Sequence, residues 1–443
     1  MQSITKLIAC LFLCTLYGDH LHGQDYPPGP PHSDSGTNTV LIYPNLVNKF
    51  YQINQQTRFW FSDGEQSLSL RGALKDIIDS ATNIGLDRNK YHYIELLNYT
   101  MNDLQLSDHS ILMRMDSIFT DVAIAFFKDV YQGTNISSMV NADEVSAKYS
   151  EADNSYILHK LSEARSAILL KQAAKSLEPR VPEYLLLKEK LLNELQTQHL
   201  ATINSLVTTL SLFRWIYHFR LKNFIVINIP SATLLYFESD TLKLKMKVVL
   251  GKPSTRTQRF AAYCNYLVLY PYWNVPRKIA VNELLPLFTK SPDLVDVMNM
   301  QVVDNKGKIL DPQNLTWAIF NKTNFPYRFR QATGCDNALG VVKFNLTSPF
   351  DVYMHDTNVK SAFQSSFRYY SHGCIRLEKP IELGNFLLHG RLDPGFLKSC
   401  LKDQKPVTIK LDKAMPVFVI YGTAGFDEMK NIVYYKDIYR LIK

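Results

Sequence analysis

Residues 223–250 read NFIVINIPSATLLYFESDTLKLKMKVVL, and the chain changes character there. Before this stretch, apolar residues recur at three- and four-residue spacing. From Asn223 onward they alternate with polar residues or run together in short β-branched and aromatic segments. Asn223–Ile229, Thr233–Glu238 and Leu242–Leu250 are predicted strands, with Glu238-Ser239-Asp240 as the turn between the second and third. Tyr266–Tyr270, Val341–Asn345, Phe350–Met354, Val407–Leu411 and Val417–Tyr421 continue the pattern. Short, aromatic-rich strands of this kind argue for a β-sandwich or a barrel-like pair of sheets.

Working outward toward the N-terminus, residues 41–210 are predicted to be helical. Leu70, Leu74, Ile77 and Ile78 share one helix face, as do Val122, Ala123, Phe126 and Phe127. Residues 143–174 hold two further amphipathic stretches, and Pro182 opens a helix over 183–200. No cluster of acids or histidines marks this region, so it is read as a scaffold. The fold class is therefore α+β: a helical domain over 41–210, then a β-sandwich-like domain over 211–443. Within the latter, residues 276–330 interrupt the strand pattern with a helical run and Asn- and Asp-rich loops. An insertion this long in a β domain is usually functional. Val297, Met298, Trp317 and Phe320 are read as the apolar anchors of an ordered lid.

The 443 residues carry a net charge of +8 with no basic block, which gives no ground for nucleic-acid binding. The N-terminus reads as an export signal over 1–23: Lys6 supplies the charge, Leu7 to Tyr17 is apolar but too short to span a bilayer, and Gly18 and Gly23 offer cleavage points. A lipoprotein-type box ending at Cys10 is the secondary reading. Residues 24–40, rich in Pro, Gly and Ser, form a linker, and no later segment is apolar enough to cross a membrane. After cleavage the protein is expected in the periplasm with four cysteines: Cys264, Cys335, Cys374 and Cys400. Sequence alone does not choose a disulfide among them. CxxC, HExxH and glycine-rich phosphate loops are missing from the sequence, so no metal or other cofactor is expected.

The chemistry concentrates in Ser371-His372-Gly373-Cys374-Ile375-Arg376. A thiol becomes a nucleophile at neutral pH when a base or cation stands near it. His372 is near in sequence, whereas His355, in Tyr353-Met354-His355-Asp356, would arrive from another strand; both are candidate bases. Gly373 is expected to let backbone approach the sulfur and turn amide groups toward an oxyanion.

These residues carry a resemblance. YMHDT at 353–357 followed by YSHGCIRLEKP at 370–380 is similar to the active-site signature of the L,D-transpeptidase (YkuD) catalytic domain. The runs FIVINIPSATLLYFESD, MKVVLGKPSTRTQ, YPYWNVPRKIA, NALGVVKF and YGTAG resemble the large periplasmic Gram-negative members of that family, and 41–210 resembles their helical scaffold domain. The resemblance implies that Cys374 attacks a tetrapeptide stem at its third, diamino-acid residue and expels D-alanine. The thioester would then pass to the side-chain amine of a second stem, giving a 3→3 cross-link in peptidoglycan. Hydrolysis of the thioester by water (L,D-carboxypeptidase or endopeptidase action) is the alternative, and an inactive wall-binding scaffold is the alternative outside enzymology. His355 takes the base role, and Ser371, His372, Gly373, Arg376, Tyr353, Asn337 and Trp273 are implied for the substrate or oxyanion. Carbapenems are implied as ligands. Residues 276–330 match the capping subdomain, while 182–208 are too few for the peptidoglycan-binding module many relatives carry. Cys335 stands close in sequence to the presumed groove, and a Cys335–Cys374 disulfide would silence the enzyme.

Overall fold

The computed structural model describes residues 39–442 apart from 63, 101–108, 240 and 403. The expected signal segment, Cys10 and residues 24–38 of the linker lie outside the described residues. The helical region comprises α1 (Pro44–Ile53), α2 (Glu65–Asp79), α3 (His109–Gln132), α4 (Ser150–Glu163), α5 (Ala167–Ser176), α6 (Pro182–Thr197) and α7 (Leu200–Tyr217), with shorter turns between. Proline at the first position of α1 and α6 suits a site that has no intrahelical acceptor for an N–H. The central α3 is buried on most of its surface. It carries Asp116, whose carboxylate accepts the backbone N–H groups of Phe59, Trp60 and Phe61 at 3.0, 2.7 and 2.9 Å. A buried charge persists only when it is satisfied in this way.

Eight strands form the β-region: β1 (Phe224–Asn228), β2 (Thr233–Glu238), β3 (Thr241–Gly251), β4 (Phe260–Leu269), β5 (Val342–Leu346), β6 (Met354–His355), β7 (Ile375–Leu377) and β8 (Val407–Ile420). Their pairing closes into a ring, β4-β5-β6-β7-β3-β2-β1-β8 and back to β4. The two sheets expected of a sandwich are thus hydrogen-bonded into one closed wall, which leaves no free edge among these strands. Closure depends on β8, which pairs with both β1 and β4 and shifts register between Lys410 and Met415. The two strands expected over 407–411 and 417–421 are this one long strand. The interior is filled by Ile225, Leu234, Val248, Phe260, Leu267, Phe344, Met354, Ile375 and Val417 among others. Each such side chain contributes roughly 1.5–3 kcal/mol on burial.

The helical region is joined to this wall rather than tethered to it. Ala142 and Asp143 pair in parallel with Phe260 and Ala261 of β4. Trp215, Ile216 and Phe219, at and just beyond the end of α7, share one apolar cluster with Phe224, Ala261 and Phe418 on the outside of the wall. The expected junction at 210/211 falls inside α7, so the last helix of one region is also a packing surface of the other.

Between β4 and β5 the insertion folds as an ordered cap. Trp273–Asn274, Met300–Val303, Ile309–Leu310 and Arg328–Gln331 make a four-stranded sheet over a helical run from Arg277 to Lys290. This run includes a π turn over Ala280–Leu284, just ahead of Pro286, which supplies no N–H to the ladder. The cap has its own core of Val281, Phe288, Val295, Trp317, Phe325 and Phe329. Of the expected anchors, Trp317 is buried and Met298 and Phe320 pack against that core, but Val297 is 77% exposed. A disulfide joins Cys335, just after the cap, to Cys400 across 65 residues. Cys374 is free, so the Cys335–Cys374 switch does not fit this arrangement.

Candidate active site

β6 and β7 run side by side in parallel, with Met354 opposite Ile375 and His355 opposite Arg376. β5 lies on the other side of β6, with Lys343 opposite His355 and Phe344 opposite Met354. Paired residues share a face, and successive residues alternate between faces. Phe344, Met354 and Ile375 therefore point into the core, whereas Lys343, His355 and Arg376 form a row on the opposite face. The strand expected over 350–354 is regular only at Met354–His355, but it delivers His355 as anticipated. One residue before β7, Cys374 is half-buried; Tyr353 lies beside it, its carbonyl accepting the N–H of Ile375 at 3.0 Å. The Cys374 sulfur lies 3.7 Å from the Asp351 carbonyl oxygen.

His355 is buried, and its Nδ1–H donates to the Asp356 carbonyl oxygen, which leaves Nε2 as the acceptor. Burial, and then the Arg376 and Lys343 cations, drive its pKa down to about 3 against the pull of that carbonyl. The imidazole is therefore neutral near pH 7. Burial pushes the Cys374 thiol up. The Tyr353 N–H and hydroxyl and the Lys343 and Arg376 charges pull it back down. Burial also lowers the pKa of Lys343 and of Arg376, and the Cys374 sulfur opposes this in both. Burial, and then Cys374, raise the Tyr353 hydroxyl, and Trp273 pulls it back down.

The remaining sequence-predicted residues divide. Trp273, on the first strand of the cap, joins Tyr353 and Cys374 at the site. His372 is turned outward and its Nε2 meets Glu283 Oε1 of the cap at 2.8 Å. Ser371 is buried; its hydroxyl donates to the Cys374 carbonyl at 2.7 Å and accepts the Gly373 N–H at 3.1 Å. Ser371 therefore shapes the turn and does not face a substrate, and the Gly373 N–H is engaged and does not point at an oxyanion. Gly373 is required for its φ of +124°, not for close approach, because an added Cβ would come no nearer than 3.7 Å to another residue. Its carbonyl accepts the Thr257 hydroxyl at 2.8 Å. Asn337 is the clearest correction. It is 1% exposed, and its amide is spent on the carbonyls of Pro271 and Ala332 and on the N–H of Leu339, which ties the two roots of the cap together.

Sequence reasoning missed Lys343 and Glu283. A lysine in Val342-Lys343-Phe344-Asn345-Leu346 reads as the solvent face of a strand, and only the inter-strand register places it beside His355.

Residues 222–409 match the family model described as the L,D-transpeptidase catalytic domain, YkuD, and residues 45–191 match a scaffold-domain model. A Haemophilus influenzae protein named as a candidate L,D-transpeptidase is 36% identical over 222 residues, covering 49% of this chain and 44% of that one. The chain thus matches less than half the length of this curated relative. Among solved structures, similarity extends to an L,D-transpeptidase from Mycobacterium smegmatis, at 13% identity, with 45% of this chain and 58% of that one covered and a TM-score of 0.21. It also extends to the Enterococcus faecium L,D-transpeptidase catalytic domain acylated by ertapenem, at 12% identity, with 45% and 97% covered and a TM-score of 0.21.

Proposed function

Starting from a chain that belongs to the YkuD L,D-transpeptidase family and carries a scaffold domain ahead of the catalytic one, we propose that it cross-links peptidoglycan stem peptides through a Cys374 thioester. The observation that carries this reading is a free, half-buried Cys374 immediately ahead of the strand that pairs with that of a buried neutral His355, whose Nδ1 is held by a backbone carbonyl. In the proposed first step the Cys374 sulfur attacks the carbonyl of the third, L-centred residue of a tetrapeptide. Nε2 of His355 takes the thiol proton and returns it to the departing D-alanine amine. Arg376 and Lys343 disfavour an imidazolium held for long, so the proton is passed on within the acyl-transfer step. In the second step the side-chain amine of another stem attacks the thioester carbonyl, the C–S bond breaks, His355 Nε2 passes the amine's proton to the departing Cys374 sulfur, and a 3→3 link results. Residues 276–330 cover the groove, and Trp273 and Tyr353 line it.

Export to the periplasm belongs to the same proposal. It is supported by the N-terminal charge and apolar pattern and by the Cys335–Cys400 disulfide, a bond that persists in oxidising compartments.

The test is incubation of the purified protein with tetrapeptide muropeptides, read by mass spectrometry. Cross-linked 3→3 dimers are expected, and Cys374→Ala should abolish them. Tripeptides alone would mean that water resolves the thioester, and activity surviving Cys374→Ala would sink the thioester. Carbapenem treatment should add one adduct mass, mapped to Cys374.

A further inference from the structure

The site face of the wall carries two cations, Lys343 and Arg376, flanking His355. The charge that acts on Lys343 is that of Cys374, and on Arg376 those of Tyr370 and Cys374. Lys343 Nζ sits 4.1 Å from the centre of the Tyr353 ring. That ring belongs to the residue beside Cys374, whose carbonyl accepts the Ile375 N–H at 3.0 Å.

We propose that Lys343 is a positioning residue for the nucleophile: its ammonium, seated on the Tyr353 ring beside Cys374, acts on the sulfur as a charge and favours the thiolate. Ionisation breaks the S–H bond and leaves the electron pair on sulfur. The proton goes to solvent in the resting protein or to His355 Nε2 during attack, and Lys343 keeps its own protons throughout. The groups facing the sulfur are Lys343 from β5, Tyr353 and the Asp351 carbonyl ahead of β6, and Arg376 from β7; Trp273 of the cap reaches the Tyr353 hydroxyl. The Asp351 carboxylate, which acts on Tyr353, is exposed, and Glu283 is taken up by His372. The inference rests on Cys374 being the nucleophile.

The experiment reads the thiol without any peptide substrate. The full chain is alkylated with iodoacetamide across a range of pH, and the rate is followed by mass mapping at Cys374. In Lys343→Met the titration should move up by about one unit, which slows alkylation about tenfold at neutral pH. Lys343→Arg should stay close to wild type. Superimposable profiles for Lys343→Met and wild type would overturn the proposal, as would Lys343→Arg being as slow as Lys343→Met. If Lys343→Met does not fold, the wild-type protein with its lysines carrying 13C-dimethyl labels supplies the readout. Alkylating Cys374 removes the thiolate, so the Lys343 signal should titrate at lower pH; an unmoved titration overturns the proposal. A protein that shows the alkylation shift but forms no cross-links would refute the proposed reaction and leave this inference standing.

Discussion

The helical scaffold and the cap are both appended to the same strand wall, and they are attached in opposite ways. The scaffold merges with it: Trp215 and Phe219 stack into a cluster with Phe224 and Phe418, and Ala142–Asp143 adds backbone pairing to β4. The cap builds its own apolar core, around Phe288, Trp317 and Phe329, and meets the turn ahead of Cys374 through an exposed polar pair, His372 and Glu283. A shared core forbids relative movement without a large loss of packing, whereas an exposed side-chain hydrogen bond is worth on the order of 1 kcal/mol or less. The scaffold is therefore packed into the strand wall, whereas the cap is cored separately from it.

The strongest way to break this contrast is Trp215→Ala. It should cost about 3–5 kcal/mol of global stability and keep helical and strand signals in one denaturation transition. Two separated transitions in the wild type would refute the merged core. Phe329→Ala opens a comparable hole but should strip hydrogen-exchange protection from 273–331 only, leaving β1–β8 protected. Acid probes the wall between them. The His355 pKa is depressed from 6.5 to about 3, so across that window the unfolded chain binds this proton and the folded one does not. Its contribution is therefore lost as pH falls from about 6.5 toward 3. Urea unfolding at stepped pH should show a flatter acid decline in His355→Gln, and parallel declines would rule the assignment out. The smallest effect belongs to Glu283→Gln. The cap helix should exchange faster by an amount worth at most about 1 kcal/mol. A larger effect would mean that this contact holds the cap more firmly than an exposed hydrogen bond does.

Much of this was legible in the sequence. The switch of period near Lys222, the strands through Leu250, the inserted cap and the delivery of His355 at the end of a strand all follow from local pattern or from the signature around them. What escaped depends on register or on long-range closure. Lys343 needed its pairing with His355, and Cys335 needed the fold to bring Cys400 to a Cα distance of 5.1 Å. Val297 reads as an apolar anchor but closes a four-residue turn whose buried residue is Val295. Asn337 and Ser371 sit where a substrate contact is plausible by sequence distance. Their side chains satisfy buried backbone groups instead, a demand visible only once the turns are built.

The pairing of β8 with β1 and β4 has a temporal meaning. Val417 meets Ile225 across nearly the whole length of the catalytic region, so the ring is a contact of very high sequence separation. Such contacts form late and slowly, because the intervening chain must first surrender its freedom. Every strand of the nucleophile's neighbourhood is synthesised before the one that completes the ring. The protein is thus expected to acquire its chemistry abruptly, at the end of folding, when its last long strand locks the enclosure around a site already assembled in outline.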